Sequence, residues 1–119
     1  MQLLTKRELQ IMSTLWHADK ALSAKDISAL APEISMNTIL SVLRKLLKQN
    51  IIKTDSIAMS GSTLMRKYVP VLQESAYLTS AASDKALHEI VTGYIDDQDS
   101  TEDLDALEKL IQQRKNKLK

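Results

Sequence analysis

Few side chains in this sequence are of a type and spacing that could do covalent chemistry. There is no Cys to act as nucleophile or thiolate ligand, and no disulfide is available. The two histidines, His17 and His88, lie about seventy residues apart, and His88-Glu89 lacks the second His of a zinc-protease helix. Only Gly61 and Gly93 occur, so no glycine-rich phosphate loop exists. The carboxylates gather in the second half, in segments that read as solvated. These counts argue against an enzyme and against a metal or other cofactor. The chemistry that remains is hydrogen bonding and charge. Stepping along residues 36–49 at about 100° per residue puts Asn37, Ser41, Arg44, Lys45 and Lys48 on one side of a helix, with Thr38 at its edge. Short polar groups near the start and cations further on suit a helix whose first turns meet base edges while its later cations meet phosphates. A plain amphipathic helix with a solvated basic face has the same composition, so neighbouring elements decide between the two.

That helix has its own boundaries. Ser35 is placed to cap it, accepting an N–H of the first turn, and Asn50 to stop it, because Asn tolerates the left-handed conformation. Ile39, Val42, Leu43 and Leu46 form the inward side, flanked by Met36, Leu40 and Leu47. Thr5-Lys-Arg-Glu8 has the form of a capping box for a first helix over residues 4–16, with Leu4 and Leu9 at the positions of a hydrophobic staple. Ile11, Met12, Leu15 and Trp16 continue its apolar face. Trp16 reads as core, and His17 at the helix end has no evident partner in metal or acid–base chemistry. Leu22 could add a short strand. Ser23 caps a second helix from Ala24 to about Ala31, with Asp26 at its third position, and Pro32 ends it. The short connection Pro32–Ile34 then makes a helix-turn-helix with the third helix. Residues 51–57 are partly alternating and β-branched, and residues 63–69 alternate again after a turn at Ser60-Gly61-Ser62, which reads as a β-hairpin. Three helices followed by a hairpin is the order of a winged helix. The hairpin brings Lys53, Arg66 and Lys67 beside the third helix.

Residues 71–96 return to helix, with Leu72, Ala76, Leu78, Ala82, Leu87, Ile90, Val91 and Tyr94 at spacings of mostly three and four, and Gly93 is placed to end or bend it. Asp96–Asp99 reads as an acidic linker. Ser100-Thr-Glu-Asp103 reads as another capping box, opening a last helix to about Asn116 with the stripe Leu104, Leu107, Leu110 and Ile111. A small N-terminal module cannot cover both stripes. Burial against a second copy through Leu87, Ile90, Val91, Tyr94, Leu104, Leu107, Leu110 and Ile111 is the simple solution. An intramolecular hairpin packed on the module is the alternative.

Composition fits this division. The 119 residues are 44% hydrophobic, with one Trp and no Phe, so a core must come from Leu, Ile, Ala, Val and Met. The net charge of +1 divides into +5 over residues 1–70 and −4 over residues 71–119, so the first half is the one to meet a polyanion. No run of about 18 apolar residues exists for a transmembrane helix. The N-terminus turns polar too soon for a secretory signal, and a cytoplasmic location is expected. The expected fold is therefore mostly α (α+β): a winged helix-turn-helix DNA-binding domain over residues 1–71 and a helical dimerisation region over residues 72–119. The expected partners are double-stranded DNA and a second copy, with no membrane. The rival reading is a winged-helix module that binds proteins and no specific DNA.

Three stretches carry a resemblance: Leu4-Thr5-x-x-Glu8-x-x-Ile11-Met12-x-x-Leu15-Trp16, Ser35-x-x-Thr38-Ile39 with Leu46, and Lys67-Tyr68-x-Pro70-x-Leu72. With the acidic, Leu-rich terminal helix, their order is similar to that of the penicillinase and methicillin-resistance repressors, a family that includes copper-responsive repressors. The resemblance implies a dimeric winged-helix repressor on a dyad-symmetric operator. It implies base contacts from Asn37, Thr38, Ser41 and Arg44, and backbone contacts from Lys45, Lys48 and the wing cations Lys53, Arg66 and Lys67. There are departures. Leu40 stands where β-lactam-responsive members often carry Arg. Those members are cut between Asn and Phe in the C-terminal helices, and this chain has no Phe. The copper-responsive branch senses metal through C-terminal cysteine pairs, and here there is no Cys.

Overall fold

Thr5 closes a capping box at the head of α1 (Lys6–Trp16) in the computed structural model, accepting the Glu8 N–H while the Glu8 carboxylate accepts the Thr5 N–H. The structure describes residues 3–60 and 63–119. Ser23 and Asp26 repeat the same reciprocal cap on α2 (Ala24–Leu30), and Ser35 caps α3 (Met36–Lys48) by accepting the Thr38 N–H. The three-residue spacing of these caps needs only local chain geometry, so the helix starts follow directly from the sequence. At the far end of α3, Asn50 adopts φ 59°. Its N–H bonds to the Leu47 carbonyl, and the Ile51 N–H bonds to the Leu46 carbonyl. This is a Schellman motif with Asn in the left-handed position.

A short strand β1 (Leu22–Ser23) and the hairpin of β2 (Ile52–Ser60) and β3 (Thr63–Pro70) form an antiparallel sheet in the order β1-β3-β2. Leu22 lies opposite Tyr68, and Thr54 lies opposite Tyr68 on the other side. Three helices, a small sheet and a hairpin wing make a winged helix-turn-helix. The turn expected at Ser60-Gly61-Ser62 includes two residues, Gly61 and Ser62, that lie outside those described. The core sits between the helices and the root of the sheet: Ile11, Met12 and Leu15 from α1, Ile27 from α2, Ile39, Leu43 and Leu46 from α3, and Leu22, Ile52 and Tyr68 from the strands. Val42, expected inside, is half-buried at the core's edge.

The chain divides into two units, Met1–Ala81 and Ala82–Lys119. The division falls after Ala81, where the sequence reading put it at residue 71. The reason is α4 (Glu74–Ala81), which packs on the first unit through the buried Tyr77. The Tyr77 hydroxyl accepts the Leu4 N–H at 3.1 Å, and its ring lies 5.7 Å from that of Trp16. Trp16 Nε1 in turn donates to the Leu72 carbonyl at 2.8 Å, so this half-buried side chain is both core edge and tie. Leu4 packs against the core, but Leu9 is 39% exposed, so the expected staple does not place both residues inside. His17 Nε2 lies 3.4 Å from a carboxylate oxygen of Glu74, with both side chains exposed.

The single helical element expected over 71–96 is two. After α4, Ser83 caps α5 (Asp84–Asp96) by accepting the Ala86 N–H at 3.1 Å. A serine hydroxyl competes with the helical ladder for backbone groups and so favours a start over a continuation. Gly93, expected to end or bend the element, lies inside α5 with open space where a Cβ would stand. In the second unit, Ser100 caps α6 (Thr101–Lys117) by accepting the Asp103 N–H. Neither α5 nor α6 has a buried side chain.

Candidate nucleic-acid interface

Seating Ile39, Leu43 and Leu46 in the core leaves the opposite side of α3 in water. Asn37, Ser41, Arg44 and Lys48 are all exposed along it. Thr38 is half-buried, and its hydroxyl accepts a hydrogen bond from Ser35 at 2.9 Å. The exposed row runs from neutral hydrogen-bonding groups to cations, with no carboxylate on the helix to offset them. Arg44, Lys48, Lys53 and Arg66 form no ion pair among the described residues.

Lys45 is different. Its Nζ lies 2.7 Å from Glu8 Oε2, across from α3 to α1. Glu8 is 5% exposed, and Lys45 keeps 54% of its side chain in water. Burial pushes the Glu8 carboxyl up, but the Lys45 ammonium and the bonds to Thr5 outweigh it and hold the group below its usual 4.5. A carboxylate whose folded value is depressed stabilises the fold at pH values above its unfolded value, and that stability is lost as pH falls through the folded value. Lys45→Met is therefore expected to cost about 1–2 kcal/mol at pH 7, by leaving a buried charge without its partner. Thermal melts should show the difference from the parent protein shrinking as the pH is taken from 5 to about 3.

The wing cations do not form one group. Neighbouring residues on a strand point to opposite faces. Arg66 shares a face with Leu64 and Tyr68 and lines a groove of about 580 Å³ together with Leu40 of α3 and Lys25 of α2. Lys67 lies on the other face with Lys53, and its charge helps hold Asp26 low, after the Ser23 backbone bond that is the main cause and against the effect of burial. So the structure brings Arg66 to the exposed side of α3, and separates Lys53 and Lys67 from it. Lys25 was not among the sequence candidates. Its helix reads as a scaffold, and only the fold shows its position beside Arg66.

The family model described as penicillinase repressor matches residues 4–113. The chain belongs to the penicillinase repressor family. Membership of this repressor family makes it a DNA-binding transcriptional regulator. Among curated proteins none matches the chain. Among solved structures, the chain is similar to a point mutant of MepR from a multidrug-resistant S. aureus clinical isolate, with 16% identity, TM-score 0.53, and coverage of 98% of this chain and 80% of that one. It is similar also to a second MepR point mutant from such an isolate, with 16% identity, TM-score 0.51, and coverage of 97% and 79%. These likenesses concern the fold. Among the described residues, no helix of this family member is long and apolar enough to cross a membrane, and no group of three or more His, Asp or Glu could hold a metal ion.

Proposed function

We propose that this member of the penicillinase repressor family is a homodimeric repressor that binds a dyad-symmetric operator. Asn37, Ser41 and Arg44 would read base edges, with Thr38 at the rim, and Lys48 and Arg66 would hold the backbone. The observation that carries the reading is the exposed face of α3, where Asn37, Ser41, Arg44 and Lys48 follow one another beside the exposed Leu40, above a buried face of Ile39, Leu43 and Leu46. A helix of 13 residues seated in this way can enter a major groove as a rigid body. Lys45 is a weaker candidate for a phosphate contact, because reaching one would cost it Glu8. Lys53 and Lys67 lie on the opposite hairpin face, where only DNA that wraps past the wing would meet them.

The dimer follows from the second unit. Ile90, Val91, Tyr94, Leu110 and Ile111 are all more than half exposed, while Leu87, Leu104 and Leu107 are half-buried. Two helices with this much uncovered apolar surface are stabilised by a second copy. A two-fold dimer presents two α3 helices to two half-sites.

The test is a fluorescence anisotropy titration of the DNA upstream of this protein's own gene against a scrambled duplex, at several salt concentrations. Steeply salt-dependent, sequence-selective binding by two protomers is expected. Equal binding to both duplexes would remove the operator reading and favour a protein partner. Arg44→Ala should lower discrimination between the duplexes by about 1–3 kcal/mol. Lys48→Ala should weaken binding to both alike and reduce the salt slope by about 1.

A further inference from the structure

At the flank where α1 meets the end of α3, the first unit holds a cavity of about 480 Å³. That is the size of a small-molecule site. Leu4, Ile51, Val71 and Leu72 wall it, and Glu8 and Lys45 lie along it. The walls are braced: the Ile51 carbonyl accepts the N–H groups of both Val71 and Leu72, at 2.8 and 3.0 Å.

The two charges in this cavity are not equivalent. Glu8 cannot leave, because its Oε1 accepts the Thr5 N–H at 2.9 Å and its side chain is enclosed. Its Oε2 is buried, and its one partner is the Lys45 ammonium at 2.7 Å. Lys45 can leave, since half of its side chain is already in water and an ammonium regains its hydration at little cost. The arrangement is a fixed buried anion with a replaceable cation beside an apolar hollow. We infer that this cavity is a binding site for a hydrophobic ammonium, whose N–H groups take Glu8 Oε2 in place of Lys45 while its apolar body fills the space between Leu4, Ile51 and Leu72. A charged donor on a carboxylate makes a stronger bond than a neutral one, and the apolar walls supply the remaining affinity. An anion of the same shape would meet the Glu8 carboxylate without a donor to offer it. The site does not depend on whether α3 binds DNA.

The test uses the full chain, labelled with nitrogen-15, and three probes of one shape: 4-phenylbutylamine, 4-phenylbutan-1-ol and 4-phenylbutyrate. In amide NMR titrations at pH 7, the amine should shift Thr5, Glu8, Ile51 and Leu72 saturably, and bind about tenfold more tightly than the alcohol. The carboxylate should give no saturable shift. Glu8→Gln should bring the amine and the alcohol within about twofold of each other. Lys45→Met, which keeps the carboxylate and removes its competitor, should tighten the amine several-fold, and it serves if Glu8→Gln does not fold. The inference is overturned if the amine does not bind, if the three probes bind alike, if the carboxylate is preferred, if the shifts fall in residues 82–119, or if Lys45→Met binds the amine no more tightly.

Discussion

Ile90→Asp combined with Leu110→Asp is expected to lower operator affinity by about 10²–10⁴-fold, the range lost when two linked binding events become independent. Ile90 on α5 and Leu110 on α6 are 60% and 61% exposed, so a charge at either position costs the isolated chain little. In a two-fold interface the same carboxylates would be desolvated without partners, which association cannot offset. Each protomer would then meet a single half-site. The salt slope should fall by about half, because half of the phosphates are neutralised. Sedimentation should show a monomer. A variant that stays dimeric would place the interface on other residues of the second unit. A monomer that binds the operator undiminished would mean that pairing has no part in recognition.

The second large effect is on stability. Leu43→Ala is expected to cost about 3–4 kcal/mol, within the usual range for a leucine truncated in a packed core. Leu43 is 1% exposed and sits midway along α3, between Ile39 and Leu46. The cavity left there would border residues of α1, α2 and the sheet, all of which meet in the same core, so collapse around it is restricted. Such a loss is a large fraction of a small domain's total stability. Urea denaturation would measure it directly. Ser41→Ala, two residues away on the exposed face, provides the contrast and should change stability by less than about 0.5 kcal/mol. A Leu43→Ala cost below about 1 kcal/mol would mean that α3 is not seated by its apolar face, and the geometry proposed for reading DNA would fail with it.

What could be read from the chain divides by distance along it. The caps at Thr5, Ser23 and Ser35 each join a side chain to a backbone group three residues on, and the stop at Asn50 depends on one residue's left-handed conformation. The inward side of α3 also followed from angular position alone. Depth did not. The wheel puts Lys45 among the outward residues, yet it meets Glu8, 37 positions earlier, because the packing of α1 against α3 brings their flanks together. Trp16 reads as core from its helix, but its bond to Leu72, 56 positions on, depends on the chain returning after the wing. The break at Ser83 was missed for the opposite reason. Its signal is local, a serine followed by Asp84, but leucine and alanine spacings run through it and outweigh it in a periodicity count. Alternation along β3 separates Arg66 from Lys67, but which of the two faces looks toward α3 was out of reach, because it depends on how the sheet packs beside α2 and α3.

The register of the hairpin has a further consequence. Thr54 lies opposite Tyr68 and Ser56 opposite Lys67, so Asp55 is a β-bulge, one residue of β2 without a counterpart in β3. Strict alternation from the buried Ile52 would turn Ile57 outward with Lys53. The bulge restores Ile57 to the face of Arg66, and Met59 to that of Leu64. The hairpin therefore holds one residue of slack between its root, which is tied to the core, and its outer part, which is not. Deleting Asp55 is expected to take up that slack and leave every outer pair as it was, which cross-strand contacts between Ile57 and Arg66 would report in an NMR spectrum. The surface that the wing presents is thus insulated from a one-residue change in the length of the strand that carries it.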